Sequence, residues 1–131
     1  MKQGYWRSGE IWMAALAGFL MLFNAVRAYS NPVGFADYLG LPLADVKDAV
    51  LIHTYALRAL FIGLLVTGLI WKRQITALAL VAAIAIVMPI GDAVLAVQAQ
   101  AAQATIIRHI VIALYLALTA YLLFKRQPVK A

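Results

Sequence analysis

At 131 residues the chain has room for one domain, and it is poorly suited to water: 66% of its residues are hydrophobic and 12% charged, against roughly 45–50% and about 25% in soluble domains. With no cysteine, disulfides, thiolate metal sites and cysteine nucleophiles are excluded, and the redox compartment leaves no trace. The net charge of +6 comes from Lys and Arg scattered at the ends of apolar segments rather than gathered on one polar helix, which argues for membrane topology and against nucleic acid.

The first apolar stretch, Ile11–Val26, is uncharged but short for a bilayer core of about 30 Å, which takes about 20 helical residues. Glu10 and Arg27 can extend it by snorkelling to the interfaces, giving a span at about residues 10–28. Lys2, Arg7, the apolar Ile11–Phe23 and the triplet Val26-Arg27-Ala28 also resemble a cleavable signal peptide. A retained span is preferred, because removing it would leave three spans and termini on opposite sides. The loop Tyr29–Asp48 is the one long connection. There Asn31 can cap, Pro32 suits a first helical position and Gly40 a stop before Pro42. A short interfacial helix over Pro32–Leu39 is expected, with Val33, Phe35, Ala36 and Leu39 apolar. Asp45 is placed to cap the next span.

A second span at about 48–71 contains His53, Thr54, Tyr55 and Arg58. Its Gly63 and Gly68 can serve packing within one chain or between copies, so a homo-oligomer or a membrane partner protein is compatible with the sequence. A third span at about 74–97 is interrupted by MPIGDA, Met88–Ala93. Pro89 withholds the N–H that the Ala85 carbonyl would bond, so a kink is expected, and Gly91 leaves room for a close neighbour. The reversal into the fourth span belongs in Gln98–Thr105, since one continuous helix of about 50 Å would overshoot the bilayer. That span, at about 106–125, carries Arg108, Tyr115 and Thr119 on one polar stripe, with His109 turned away from it by about 100°.

An inside N-terminus gives Lys2, Arg7, Lys72, Arg73, Lys125, Arg126 and Lys130 to the cytoplasm, and only Arg27, Lys47 and Arg108 to the other side. That bias is the positive-inside pattern. The sequence therefore predicts an all-α integral membrane protein: an antiparallel four-helix transmembrane bundle in the cell inner membrane, both termini cytoplasmic, with the lipid bilayer as first partner. Trp6, Trp12, Trp71 and Tyr121 would stand near the inner interface.

Polar groups then converge in the outer half, while the inner half is nearly pure aliphatic. Asp92 lies roughly 7.5 Å and Arg58 roughly 13.5 Å from the outer ends of their spans, by helix rise. An arginine at a helix centre costs roughly 2.5–3.5 kcal/mol on insertion scales. Arg58 is accordingly expected to pair with Asp92, with Thr54 and Tyr55 donating further hydrogen bonds. Such a pair either locks helix register or serves a ligand. Tyr115 and Thr119 read first as interhelical hydrogen-bonding groups, each histidine alone as an interfacial residue, and Glu10 and Arg7 as solvated ends.

Few polar groups above a deep apolar lining is the usual composition of a small-molecule pocket. The leading expectation is a binding or accessory protein for a lipophilic or amphiphilic small molecule, with Arg58, Asp92, His109, Thr54, Tyr55, Tyr115, Asn24 and Arg108 as ligand-binding residues. Arg58 and Arg108 would favour an anionic or carbonyl-bearing head. The alternative is a membrane enzyme (an isomerase, cyclase or epoxide-opening activity) with Asp92 or His109 as acid or base. A proton-coupled exporter fits less well, since a permanently paired Asp92 would titrate poorly near neutrality. Haem ligation by His53 and His109 has only their similar depth in its favour, which two histidines in a four-span chain reach easily by chance. No metal site and no cofactor is expected.

The ordered set GFADYLGLP (Gly34–Pro42), Arg58 followed by Gly63, MPIGDA (Met88–Ala93) and His109 resembles a family of small four-span membrane proteins, the DoxX-like domain-of-unknown-function family DUF4267. The resemblance runs from about Gly18 to Leu123, and its most specific piece is Gly91-Asp92 combined with Arg58 and His109. It implies a four-helix membrane bundle and supports grouping those residues, but it implies no activity. His53 and the Gln-rich third connection lie outside the pattern.

Overall fold

The computed structural model describes residues 4–126; Lys2 and Lys130, counted above among the topology charges, lie outside them. The chain is an all-helical bundle of α1 (Gly9–Ser30), α2 (Pro32–Leu39), α3 (Ala49–Trp71), α4 (Ile75–Ala85), α5 (Val87–Gln98) and α6 (Gln103–Arg126). Four helical stretches are long and apolar enough to cross a membrane: Gly9–Ser30, Val46–Trp71, Ile75–Gln98 and Gln103–Arg126. The first runs further at both ends than its apolar stretch alone. Trp12, Phe19, Phe61, Ile84, Val87 and Leu114 all lie on the outside of the bundle, a surface that water would not tolerate and a lipid phase would. The protein thus has the build of a multi-pass membrane protein.

The connections follow from local chemistry. The Asn31 side chain accepts a hydrogen bond from the Gly34 amide at 3.0 Å, and Pro32 stands in the first turn of α2. Gly40 then ends that helix with φ at 79°, a left-handed conformation that costs glycine nothing. The amides of Gly40 and Leu41 close the end on the carbonyls of Asp37 and Ala36, each at 3.0 Å. Asp45 accepts from the Lys47 amide at 2.9 Å and so caps the 3-10 turn Val46–Asp48 that leads into α3. In the third apolar stretch the helical hydrogen-bond ladder is interrupted at Ile86, three residues before Pro89, and resumes as α5, while Ile86 itself keeps right-handed helical angles (φ −57°, ψ −29°). The turn from α5 to α6 falls within Gln98–Thr105, with Gln100 at a φ of 54°.

Two packing cores result. At the end holding Tyr5, four long segments meet: Ile11 and Ala14 of α1, Val66 and Ile70 of α3, Leu78 and Ala82 of α4, and Ala120 and Leu123 of α6 are all buried together. At the other end Ala28, Phe35, Leu39 and Ala56 join α1, α2 and α3 only. Helix α1 packs along α3, and α6 packs along both α4 and α5, whereas α3 touches α4 far less and α5 hardly at all. The α1–α3 seam is tight because Gly18 faces Val66 and Gly63 faces Leu22 with no room for a Cβ on either glycine. All four long segments are therefore joined at the Tyr5 end, whereas at the α2 end α3 packs on α1 and α2, and α5 on α6.

Candidate functional site

The α2 end gathers most of the polar side chains singled out above. Arg108 and His109, consecutive on α6, both reach the last turn of α2. The Arg108 guanidinium donates to the Tyr38 carbonyl, and the His109 ring nitrogen Nε2 lies 3.3 Å from the Leu39 carbonyl. These carbonyls have no intrahelical partner of their own and carry the negative end of the helix dipole, so a cation and an imidazole are suitable caps. His109 is 3% exposed. The Arg108 guanidinium also stacks on the Tyr38 ring at 3.7 Å from its centroid, and Arg27, at the end of α1, approaches the same ring at 4.5 Å. Phe35 supports this layer from below, its ring 5.7 Å from Tyr38 and 5.2 Å from Tyr55.

Asp92 sits half-buried on α5, six residues beyond the break at Ile86. It lies within electrostatic reach of Tyr55 on α3 and of His109 on α6. Its expected partner is elsewhere: Arg58 is exposed, and among the described residues the one ion pair is Glu10–Arg126 at 2.6 Å. The Arg58–Asp92 pair is thus corrected. The reason is the face each residue occupies, since α3 turns Ala56, Ala59, Gly63 and Val66 into the bundle and leaves Arg58 outside that stripe.

Other expected site residues take structural roles or stand apart. Thr54 is exposed and donates to the Val50 carbonyl of its own helix at 3.1 Å. The Tyr115 hydroxyl donates to the Met13 carbonyl at 2.7 Å and ties α6 to α1; Thr119, fully buried, donates to the Tyr115 carbonyl at 2.8 Å. The Tyr115 bond bears out the interhelical reading of the polar stripe, whereas the Thr119 hydroxyl is bonded within α6 itself. Asn24 is half-buried on α1. His53 packs against Tyr29 at 5.0 Å, whereas His109 is turned to the Leu39 carbonyl, so the two imidazoles serve different contacts.

Glu10 is not a solvated end. It holds Arg126, whose guanidinium also donates to the Ser8 hydroxyl and to the Gly4 carbonyl. Beneath this clasp Tyr5, 5% exposed, donates to the Ile70 carbonyl at 2.9 Å. Burial pushes its phenol above the ordinary value, against the opposing pull of Arg126 and Arg73. The linear sequence does not mark Arg27, Phe35, Tyr38, Tyr5 and Arg126 as site or clasp residues. For Phe35 and Tyr38 a signal existed in GFADYLGLP, whose aromatics sit three apart on one helix face.

A hollow of about 340 Å³ lies at the corner between α1 and α2, lined by Val26, Arg27, Ser30, Asn31, Gly34 and Phe35. Among the described residues no group of three or more His, Asp or Glu side chains is arranged to hold a metal ion.

No curated protein and no solved structure matches this chain. A family profile for a domain of unknown function (DUF4267) matches residues 18–123, a stretch that takes in α2, the break at Ile86, Asp92 and His109. The chain belongs to the DUF4267 family.

Proposed function

We propose that the protein is an antiparallel four-helix bundle of the cell inner membrane, with both termini cytoplasmic and α2 along the outer interface. In this reading it binds the polar head of a lipophilic molecule between α3 and α5. The observation that carries the proposal is that Asp92 of α5 lies within electrostatic reach of both Tyr55 of α3 and His109 of α6, at the end where α3 packs on α1 and α2 rather than on α5. A carboxylate, a phenol and an imidazole without a salt bridge form a hydrogen-bonding surface for a hydroxyl- or carbonyl-bearing head. The aliphatic faces of α3 and α5 below it suit the tail.

The test is mass spectrometry of lipids that co-purify with the full chain in a mild detergent. An amphiphile enriched on the wild type, lost from Asp92→Asn and retained by Arg58→Gln is expected. The absence of such a species, or its equal retention by Asp92→Asn, overturns the proposal.

A membrane-enzyme reading rests on the same three residues. If His109 donates from Nε2 to the Leu39 carbonyl, its Nδ1 is left as an acceptor, the tautomer a general base needs. That reading requires the co-purifying molecule to be chemically changed by the wild type and unchanged by Asp92→Asn.

A further inference from the structure

The geometry points to a second site on the same rim: an anion-binding site in which the guanidinium groups of Arg27 and Arg108 share one phosphate-type group beside the Tyr38 ring. Both cations lie against that ring, at 4.5 and 3.7 Å from its centroid, so they stand no more than about 8 Å apart. Among the described residues neither has a carboxylate within ion-pairing distance. Asp37, the acid next to Tyr38, is exposed and pairs with neither.

Two like charges brought to one ring and left without a counter-ion repel each other, and a bridging anion removes the repulsion. Arg108 adds an independent sign. Its Nε is buried and has no hydrogen-bond partner, which leaves a donor of the guanidinium fork unused inside the protein. The hollow at the α1–α2 corner has Arg27 in its wall, with the Ser30 and Asn31 side chains beside it. Of these, the Arg27 guanidinium is the group that pairs with phosphate oxygens; the Ser30 hydroxyl is given to the Val26 carbonyl at 2.7 Å, and Arg108 is not part of this wall. The apolar wall is Phe35 and Val26, and Val26 is 65% exposed on the outer face of α1. A headgroup seated in the hollow could therefore continue into an acyl chain along that helix. The site does not depend on Asp92.

Thermal shift on the full chain in a neutral detergent tests it with three probes: dihexanoyl phosphatidylglycerol, inorganic phosphate and uncharged dihexanoylglycerol. The anionic probes are expected to raise the melting temperature and the uncharged one to leave it in place. Binding should weaken at least about tenfold in Arg27→Gln and in Arg108→Gln, the loss of one charge-assisted contact. It should persist in Arg58→Gln, which removes the same charge elsewhere, and in Asp92→Asn. Tighter binding of the lipid identifies a headgroup as ligand and equal binding of inorganic phosphate identifies a free anion; either upholds the site. Arg108→Gln also loosens α2, so Arg27→Gln, which gives up no hydrogen bond to Tyr38, decides the matter if the former fails to fold. No shift with either anion, or shifts that Arg27→Gln leaves unchanged, would overturn the assignment.

Discussion

Gly63 and Gly91 both sit inside apolar helices, and helix propensity alone treats them alike: replacing either by alanine should gain about 0.5–1 kcal/mol. The packing separates them. A Cβ on Gly63 would lie 2.5 Å from Leu22 Cδ2, 2.6 Å from its Cγ and 3.1 Å from its backbone nitrogen. The side-chain tip can rotate away, but the backbone can move only if α1 moves along the whole seam. Overpacking of this kind costs about 1–3 kcal/mol, so after the propensity gain Gly63→Ala should lose about 1–2 kcal/mol. At Gly91 a Cβ would meet nothing within 4 Å. Gly91→Ala should be neutral or up to about 1 kcal/mol more stable. Both variants can be compared with the wild type by circular dichroism during titration with a denaturing detergent. If Gly63→Ala is as stable as the wild type, the tight α1–α3 seam is wrong. If Gly91→Ala loses as much as Gly63→Ala, something beyond this chain covers the Gly91 face.

Three further outcomes follow from other parts of the bundle. Phe35, 1% exposed at the centre of the α1–α2–α3 core, should cost about 3–5 kcal/mol when cut to alanine and less when changed to leucine, by the same titration; a loss below 1 kcal/mol, about that of a surface change, would deny α2 its anchoring role. Arg58→Leu should melt no lower than the wild type, and combined with Asp92→Asn its effect should add within about 0.5 kcal/mol; a larger coupling would restore the ion pair that the fold rejects. Burial raises the Tyr5 phenol above its ordinary value of 10.0, so the unfolded chain gives up that proton first as pH rises. The stability linked to Tyr5 is therefore complete below the ordinary value and declines above it, and melts between about pH 8 and 11 should show Tyr5→Phe losing this decline while being less stable throughout. Parallel curves for the two proteins would refute it.

Much of the architecture was legible because membrane segments are written in composition. The four apolar stretches, the helix Pro32–Leu39 with its Asn31 and Gly40 ends, the break ahead of Pro89 and the turn after Gln98 each depend on local chemistry: a missing N–H, a left-handed glycine, a capping amide. Long-range contacts made by ordinary surface residue types were harder to read. Tyr5, Glu10 and Arg126 look like polar ends in a linear reading, and only the return of α6 to the start of α1 makes them a clasp. Arg27 and Arg108 stand 81 positions apart at helix ends, and it is the placement of Tyr38 between α1 and α6 that brings both to one ring.

The Arg58–Asp92 expectation erred for a reason that bears on function. Depth along a span follows from helix rise, and sign follows from the residue type, but whether two side chains meet depends on which face of each helix is buried. On α3 that face is set by the small residues Ala59 and Gly63, four apart, against which α1 can close. Arg58, next to Ala59, falls on the flank that the bundle leaves outside, where its long side chain can carry the charge toward an interface. Asp92 consequently has a phenol and an imidazole for company instead of a guanidinium. A salt bridge would have fixed the carboxylate in its ionised form and left it few free lone pairs, whereas Tyr55 and His109 are groups that both donate and accept. The same three side chains can therefore hold a hydroxyl or carbonyl head, or pass a proton to one. In the two readings proposed above, binding and catalysis differ only in whether a bound molecule would leave changed, and Asp92→Asn, which keeps the shape of the side chain and removes its charge, is the substitution that separates them.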